Sequence, residues 1–196
     1  MFLTHYYHKD SQPFQTLSSL TKEEALEVIS TLHERSGAVY RRFSNPKQYL
    51  ELRHETEQWL RDEFIKKGGK PASVYPQYFV VERALWIEEG YEGQSYAVQM
   101  PIEAFKPEQV SFTYSDSMVS YWLKSQTAKA FYRAEYHGQV FLMDEISKII
   151  DKFRIPDQEW RFEEERKYDF FIEAQIWANL DFLKDESRVL PWLGRG

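Results

Sequence analysis

The first hydrophobic-to-polar pattern with a clear end is Thr21-Lys22-Glu23-Glu24 followed by Ala25, Leu26, Val28, Ile29 and Leu32. That spacing predicts an amphipathic helix. It opens on a capping box, in which Thr21 accepts from the third amide while Glu24 reaches back. Gly37 ends the run. Asn45-Pro46 marks a second start, with Asn as N-cap and Pro in the first turn. Tyr49, Leu52, Thr56, Trp59, Leu60 and Phe64 form its inward face, and Lys66-Lys67-Gly68-Gly69 closes it. Cations on the helix dipole followed by glycine are a C-terminal signal.

Elsewhere the period is two. Phe2 to His8 reads as a short aromatic strand, and Tyr78-Phe79-Val80-Val81 as a strand covered on both faces. Ser95 to Met100 alternates, with Tyr96, Val98 and Met100 on one side, and Val110 to Tyr114 alternates again. Met118 to Tyr136 fits a helix through Ala128, Phe131, Tyr132 and Glu135, or a strand over Phe131 to Tyr136. Val140 to Leu142 fits a short strand. Asp144 then caps a helix through Ile146, Ile149, Ile150 and Phe153, stopped at Ile155-Pro156. From Phe170 to Ala178 the residues Ile172, Ala174, Ile176 and Ala178 face one way, and Phe171, Glu173, Gln175 and Trp177 the other.

Strands and helices do not alternate regularly, so the expected class is α+β. It is a mostly antiparallel sheet carrying two N-terminal helices and one or two later ones. The whole chain, 1–196, reads as one domain, with 185–196 as a docking tail that carries Leu190, Trp192 and Leu193. A tail of that kind docks on its own domain or on a partner chain, the second fitting a homodimer.

Composition sharpens this. Aromatic residues make up 17% of the 196 positions, from 14 Phe, 13 Tyr and 6 Trp. Such a supply predicts an aromatic-rich core or an aromatic-lined cleft. The net charge of −6 supplies no basic footprint for nucleic acid. Cysteine is absent, which removes disulfide scaffolds, thiolate zinc sites and Cys nucleophiles together. No stretch approaches the roughly 20 apolar residues that cross a bilayer. The N-terminus lacks a basic and apolar leader, so a cytoplasmic location is expected.

The sequence carries no GxxxxGK[ST], GxGxxG, HExxH, GxSxG or EF-hand loop, and no cofactor or metal is expected from it. Three features are left. His5 and His8, three apart on a strand, point to opposite faces and do not share a metal. Ser111, Thr113 and Ser115 form a hydroxyl row beside Asp116, which with Ser117 either holds a polar ligand or caps the turn that follows. Glu173 shares a strand face with Gln175 and Trp177. On a wet face it is an ordinary surface group; in a buried one, its pKa rises and it becomes a general base or a ligand anchor. Arg41-Arg42 lies in the loop between the helices, a basic pair open to an anionic ligand. Arg53, Glu57 and Arg61 read as an ion-pair ladder on the second helix.

The expected ligand residues are thus Tyr78, Ser111, Thr113, Tyr114, Gln175 and Trp177, around a small molecule or protein partner. The blocks Tyr78–Val81, Ser111–Met118 and Ile172–Trp177, with Trp59-Leu60 and the Phe64-to-Pro71 turn, resemble a family of small bacterial proteins of unknown function. That likeness spans most of the chain and implies no activity. A more distant likeness is to ADP-ribosyltransferase-type domains, on His5, the Ser111–Ser115 row and Glu173 in that order. It implies that His5 binds the NAD ribose, Glu173 stabilises an oxocarbenium-like centre, and Tyr78 or Tyr114 stacks on nicotinamide. The Glu-Ala-Gln of the last block lacks the acidic residue usual there.

Overall fold

The computed structural model describes residues 1–180. Its strands are β1 (Phe2–His8), β2 (Gln77–Val81), β3 (Ser95–Pro101), β4 (Val110–Tyr114) and β5 (Ile172–Ile176). The helices are α1 (Lys22–His33), α2 (Pro46–Lys66), α3 (Leu85–Gly90), α4 (Ser117–Leu123) and α5 (Met143–Phe153). The strands form one sheet in the order β3-β1-β2-β5-β4, with every neighbouring pair antiparallel. The fold is α+β. The 185–196 tail lies outside the described residues.

Local chemistry accounts for the helix starts. Thr21 Oγ1 accepts from the Glu24 amide, and Glu24 Oε2 accepts from the Thr21 amide. Asn45 Oδ1 accepts from the Gln48 amide at the start of α2. Helix α5 begins at Met143 rather than behind an Asp144 cap, because Glu145 reaches back to the Leu142 N–H at 2.8 Å. The open stretch resolves into α4 and then turns, with neither a helix through Ala128, Phe131, Tyr132 and Glu135 nor a strand over 131–136. Val140 to Leu142 contributes only a bridge, Phe112 to Phe141.

Register fixes the faces. Leu3 pairs with Val81, Thr4 with Val80, Val80 with Glu173, and Glu173 with Thr113. Directly paired residues share a face and successive residues alternate. One face therefore carries Leu3, His5, Phe79, Phe112, Ile172, Ala174 and Ile176. It is sealed by Phe105, Tyr136, Phe141 and Ile146 into the main core. The other face carries Thr4, Tyr6, Tyr78, Val80, Glu173, Gln175, Thr113 and Ser111.

This second face is covered in two unequal parts. At one end α2 packs directly on it: Phe64 stacks on Trp177 with ring centroids 6.1 Å apart, beside Trp59 and Leu60. At the other end Ala25, Ile29, Val39, Tyr40, Phe43, Tyr49 and Leu50 form a separate small core. The 3-10 segment Ala38–Phe43 is held there by an approach that needs glycine. Gly37 has φ 113°, and an added Cβ would lie 2.4 Å from the Gly90 carbonyl oxygen. The small core stands off from the sheet, and the space between them is a cleft.

Candidate functional site

The cleft encloses about 1140 Å³. Its floor is the sheet, at Tyr78 and Glu173. Its outer wall brings Tyr40, Arg42, Tyr49 and Arg53, and the start of α4 brings Asp116 and Ser117. A second cavity of about 460 Å³ shares Arg42, Tyr49, Asp116, Met118 and Phe171 with the first and runs on to Trp86 and Phe170.

Glu173 is 7% exposed, so the wet-face alternative does not apply. The sheet is covered on both sides, and β5 lies inside it between β2 and β4. Burial, then the nearby Asp116 carboxylate, push the Glu173 pKa up to about 8. Hydrogen bonds from Ser117 and Gln175 and the Arg42 charge pull the other way without cancelling that rise. Near neutral pH the side chain is therefore mainly the protonated acid, a donor as well as an acceptor.

Behind Glu173 lies a closed polar network. The Gln175 amide donates to Glu173 Oε1 at 3.0 Å and to Thr113 Oγ1 at 3.2 Å. Ser111 Oγ donates to Gln175 Oε1 at 2.8 Å, and the Trp177 indole N–H donates to Ser111 at 2.8 Å. Thr113 in turn donates to the Ser115 carbonyl. The Gln175 amide is thus fixed in orientation from both ends, and it presents N–H to the carboxyl. Four of the expected ligand residues, Ser111, Thr113, Gln175 and Trp177, are fully buried in this network. They hold Glu173; they do not line the cleft.

Tyr114 points away altogether. It alternates onto the main-core face, where its ring meets that of Tyr136 at a tilt with centroids 4.3 Å apart and its hydroxyl donates to the Arg154 carbonyl at 2.8 Å. Its grouping with Ser111 and Thr113 followed the block of sequence rather than the strand period. Tyr78 does line the cleft, with its hydroxyl on Glu57 Oε1 at 2.9 Å.

His5 lies on the main-core face, opposite to Glu173. It sits where β1 and β2 part beyond Thr4 and Val80, and its ring borders the cleft through that gap. Both ring nitrogens are occupied. Nε2 accepts from the Phe14 amide at 3.0 Å, so Nδ1 carries the proton and donates to the Tyr78 carbonyl at 2.8 Å. The ring stacks on Phe14, whose backbone has φ 59°, at 4.8 Å. His5 is a stitch across the opening of the sheet and holds a strained loop residue in place.

Burial, partly offset by the Tyr78 carbonyl, pushes the His5 pKa down to about 4. The unfolded chain gains this proton as pH falls through about 6.5, and the folded one resists until about 4. Stability from His5 is therefore complete above pH 6.5 and is lost on acidification between those values. Denaturant titrations of the wild type and His5→Leu at pH 7 and pH 4 are expected to show the wild type losing roughly 3 kcal/mol more than the variant over that interval. Equal losses in the two proteins would contradict a buried neutral His5.

Arg42 and Asp116 complete the site. Arg42 donates through Nε to the Val39 carbonyl at 3.0 Å, while Nη1 is 3.9 Å from Asp116 Oδ2. Asp116 spends Oδ1 on the Met118 and Val119 amides, so its capping role is real. Arg53, by contrast, is spent inside the wall. It donates to Ser18 Oγ, Tyr49 OH and Thr16 Oγ1, pairs with Glu57 at 3.2 Å and lies over the Tyr78 ring at 4.8 Å.

Among the described residues no group of three or more His, Asp or Glu side chains is placed to hold a metal, and no helix is long and apolar enough to cross a membrane. Comparison with protein-family models, with curated proteins and with solved structures finds no match.

Proposed function

We propose that this protein binds a small molecule in the aromatic cleft, with Glu173 as the group that reads it. The reading rests on one observation: a carboxyl 7% exposed on the floor of a concave, tyrosine-lined space, backed by a polar network that ends on it. Burying an acid costs stability, and strongly perturbed carboxyls concentrate at functional sites. The concave shape favours a small ligand over a flat protein partner.

An enzymatic reading has its own support. A carboxyl titrating near pH 8 is suited to exchanging a proton with a bound substrate. The distant likeness to ADP-ribosyltransferase-type domains belongs here through Glu173 on the last strand. His5 borders the same cleft from the opposite face of the sheet, with both of its ring nitrogens engaged within the protein.

A thermal-shift screen of nucleotides, NAD, amino acids and organic acids tests the binding reading. A ligand at 100 times its Kd adds about 2.7 kcal/mol, which for a chain of this size raises Tm by roughly 5–10 °C. At least one class is expected to do so in the wild type and to lose the effect in Glu173→Ala. If no compound stabilises the protein, or the variant responds unchanged, the cleft is not the binding site.

A further inference from the structure

Three charged or polar groups meet where the two cavities join, and each has one side fixed by the protein and another turned to the cleft. Arg42 is anchored by Nε on the Val39 carbonyl, which leaves its terminal nitrogens toward the junction. Asp116 is anchored by Oδ1 on two α4 amides, and Oδ2 faces Arg42. Glu173 is anchored by Oε1 on Gln175, with the Ser117 hydroxyl beside it. The Arg42–Asp116 separation of 3.9 Å is too long for a hydrogen bond. The two side chains are 37% and 16% exposed, so this loose contact contributes little by itself.

Neither an anion nor a cation alone satisfies such a junction. An anion on Arg42 lies against Asp116, and a cation on Asp116 lies against Arg42, so each meets a like charge a few ångströms away. A ligand with a positive and a negative group on neighbouring atoms meets both. We infer that the cleft takes a small zwitterion of the α-amino acid type, its carboxylate on Arg42 and its ammonium on Asp116, with the neutral Glu173 carboxyl accepting a further ammonium N–H. The ligand replaces one long ion pair with direct charge-assisted contacts. Its side chain enters the cleft among Tyr40, Phe43, Tyr49, Tyr78 and Tyr91, which suits an aromatic group. Arg53 does not compete, because its donors are committed to Ser18, Tyr49 and Thr16.

This inference rests on the cleft being a small-molecule site, and three matched probes separate the two claims. L-Phenylalanine carries both charges, phenethylamine only the cation and 3-phenylpropionate only the anion. Calorimetry or amide chemical-shift titration of the wild type at pH 7 is expected to give phenylalanine a Kd at least tenfold below either of the others. Arg42→Met should raise the phenylalanine Kd to the phenethylamine level. Asp116→Asn should raise it to the phenylpropionate level while keeping the α4 cap, since asparagine caps equally well. Equal binding of phenylalanine and either single-charge probe overturns the zwitterion assignment. So does failure of all three while other compounds of the stability screen bind, and in that case the cleft reading stands. If nothing binds in either experiment, both readings fall.

Discussion

Arg53→Met is expected to destabilise the protein by roughly 3–5 kcal/mol, the cost of leaving a buried carboxylate without its cation. The carboxylate is Glu57, 2% exposed, whose Oε1 gathers Ser18, Tyr78 and Arg53 while Oε2 has no hydrogen-bond partner. Methionine keeps the aliphatic length over the Tyr78 ring but removes four polar contacts at once. Arg53→Lys is expected to recover only part of the loss, because a point charge does not reproduce the fork that spans Ser18, Tyr49 and Thr16. The double variant Arg53→Met/Glu57→Gln should regain more than half of it, since removing both charges of a buried pair costs far less than removing one. Urea denaturation at pH 7 measures all four proteins. A loss below about 1 kcal/mol for Arg53→Met would mean that the Arg53–Glu57 pair contributes no more than an exposed one.

Glu173→Gln is expected to do the opposite and raise stability. With a folded pKa near 8 against an ordinary value of 4.5, the folded state keeps a proton that the unfolded chain has already lost. Stability from this group is thus complete below pH 4.5 and is lost as pH rises toward 8. Glutamine cannot ionise, and its carbonyl oxygen still accepts the Gln175 amide, so the variant escapes the loss. The two proteins should be nearly equal at pH 5. At pH 7 the variant should lead by roughly 2–4 kcal/mol, at about 1.4 kcal/mol per pKa unit. The same variant should lose ligand response, the trade expected where a destabilising group is kept for function. A variant less stable than the wild type at pH 7 to 8 would show that Glu173 is ionised and well paired.

These two carboxylates show what the sequence made legible. The β5 alternation, read without any structure, already placed Glu173, Gln175 and Trp177 on one face, and the register bears that out. Periodicity reports a face but not what covers it. Whether that face was wet depended on the small core built by α1, the 3-10 segment and α2, which lies more than 100 residues away in sequence. The helical spacing of Arg53 and Glu57 likewise gave their pairing but not its burial under Thr16, Ser18 and Tyr78.

Other parts of the site are visible as residues in the sequence but not in their tertiary role. Arg42 lies in an irregular segment whose path is set by Gly37 against Gly90, a tertiary approach that no periodic pattern encodes. Asp116 was visible as a helix cap, and its second oxygen became relevant only through Arg42. His5 was expected to share a site with Glu173. The alternation of β1, with the pairing of Thr4 with Val80 and of Val80 with Glu173, puts the two on opposite faces of the sheet, and they border one cleft only through the gap beyond Thr4. The turns after α4 carry aromatic residues with no clean period, because contacts such as Trp122 with Phe131 and Tyr168 shape them.

The central claim is that Glu173 is a protonated acid on the floor of the cleft at neutral pH. Carbon-13 NMR of the glutamate side-chain carboxyls, with the Glu173 signal assigned by its absence in Glu173→Gln, follows that proton directly. The expected midpoint is near pH 8, moving down in Asp116→Asn as the neighbouring charge is removed. A Glu173 signal that titrates near 4.5 in the folded protein would contradict the account.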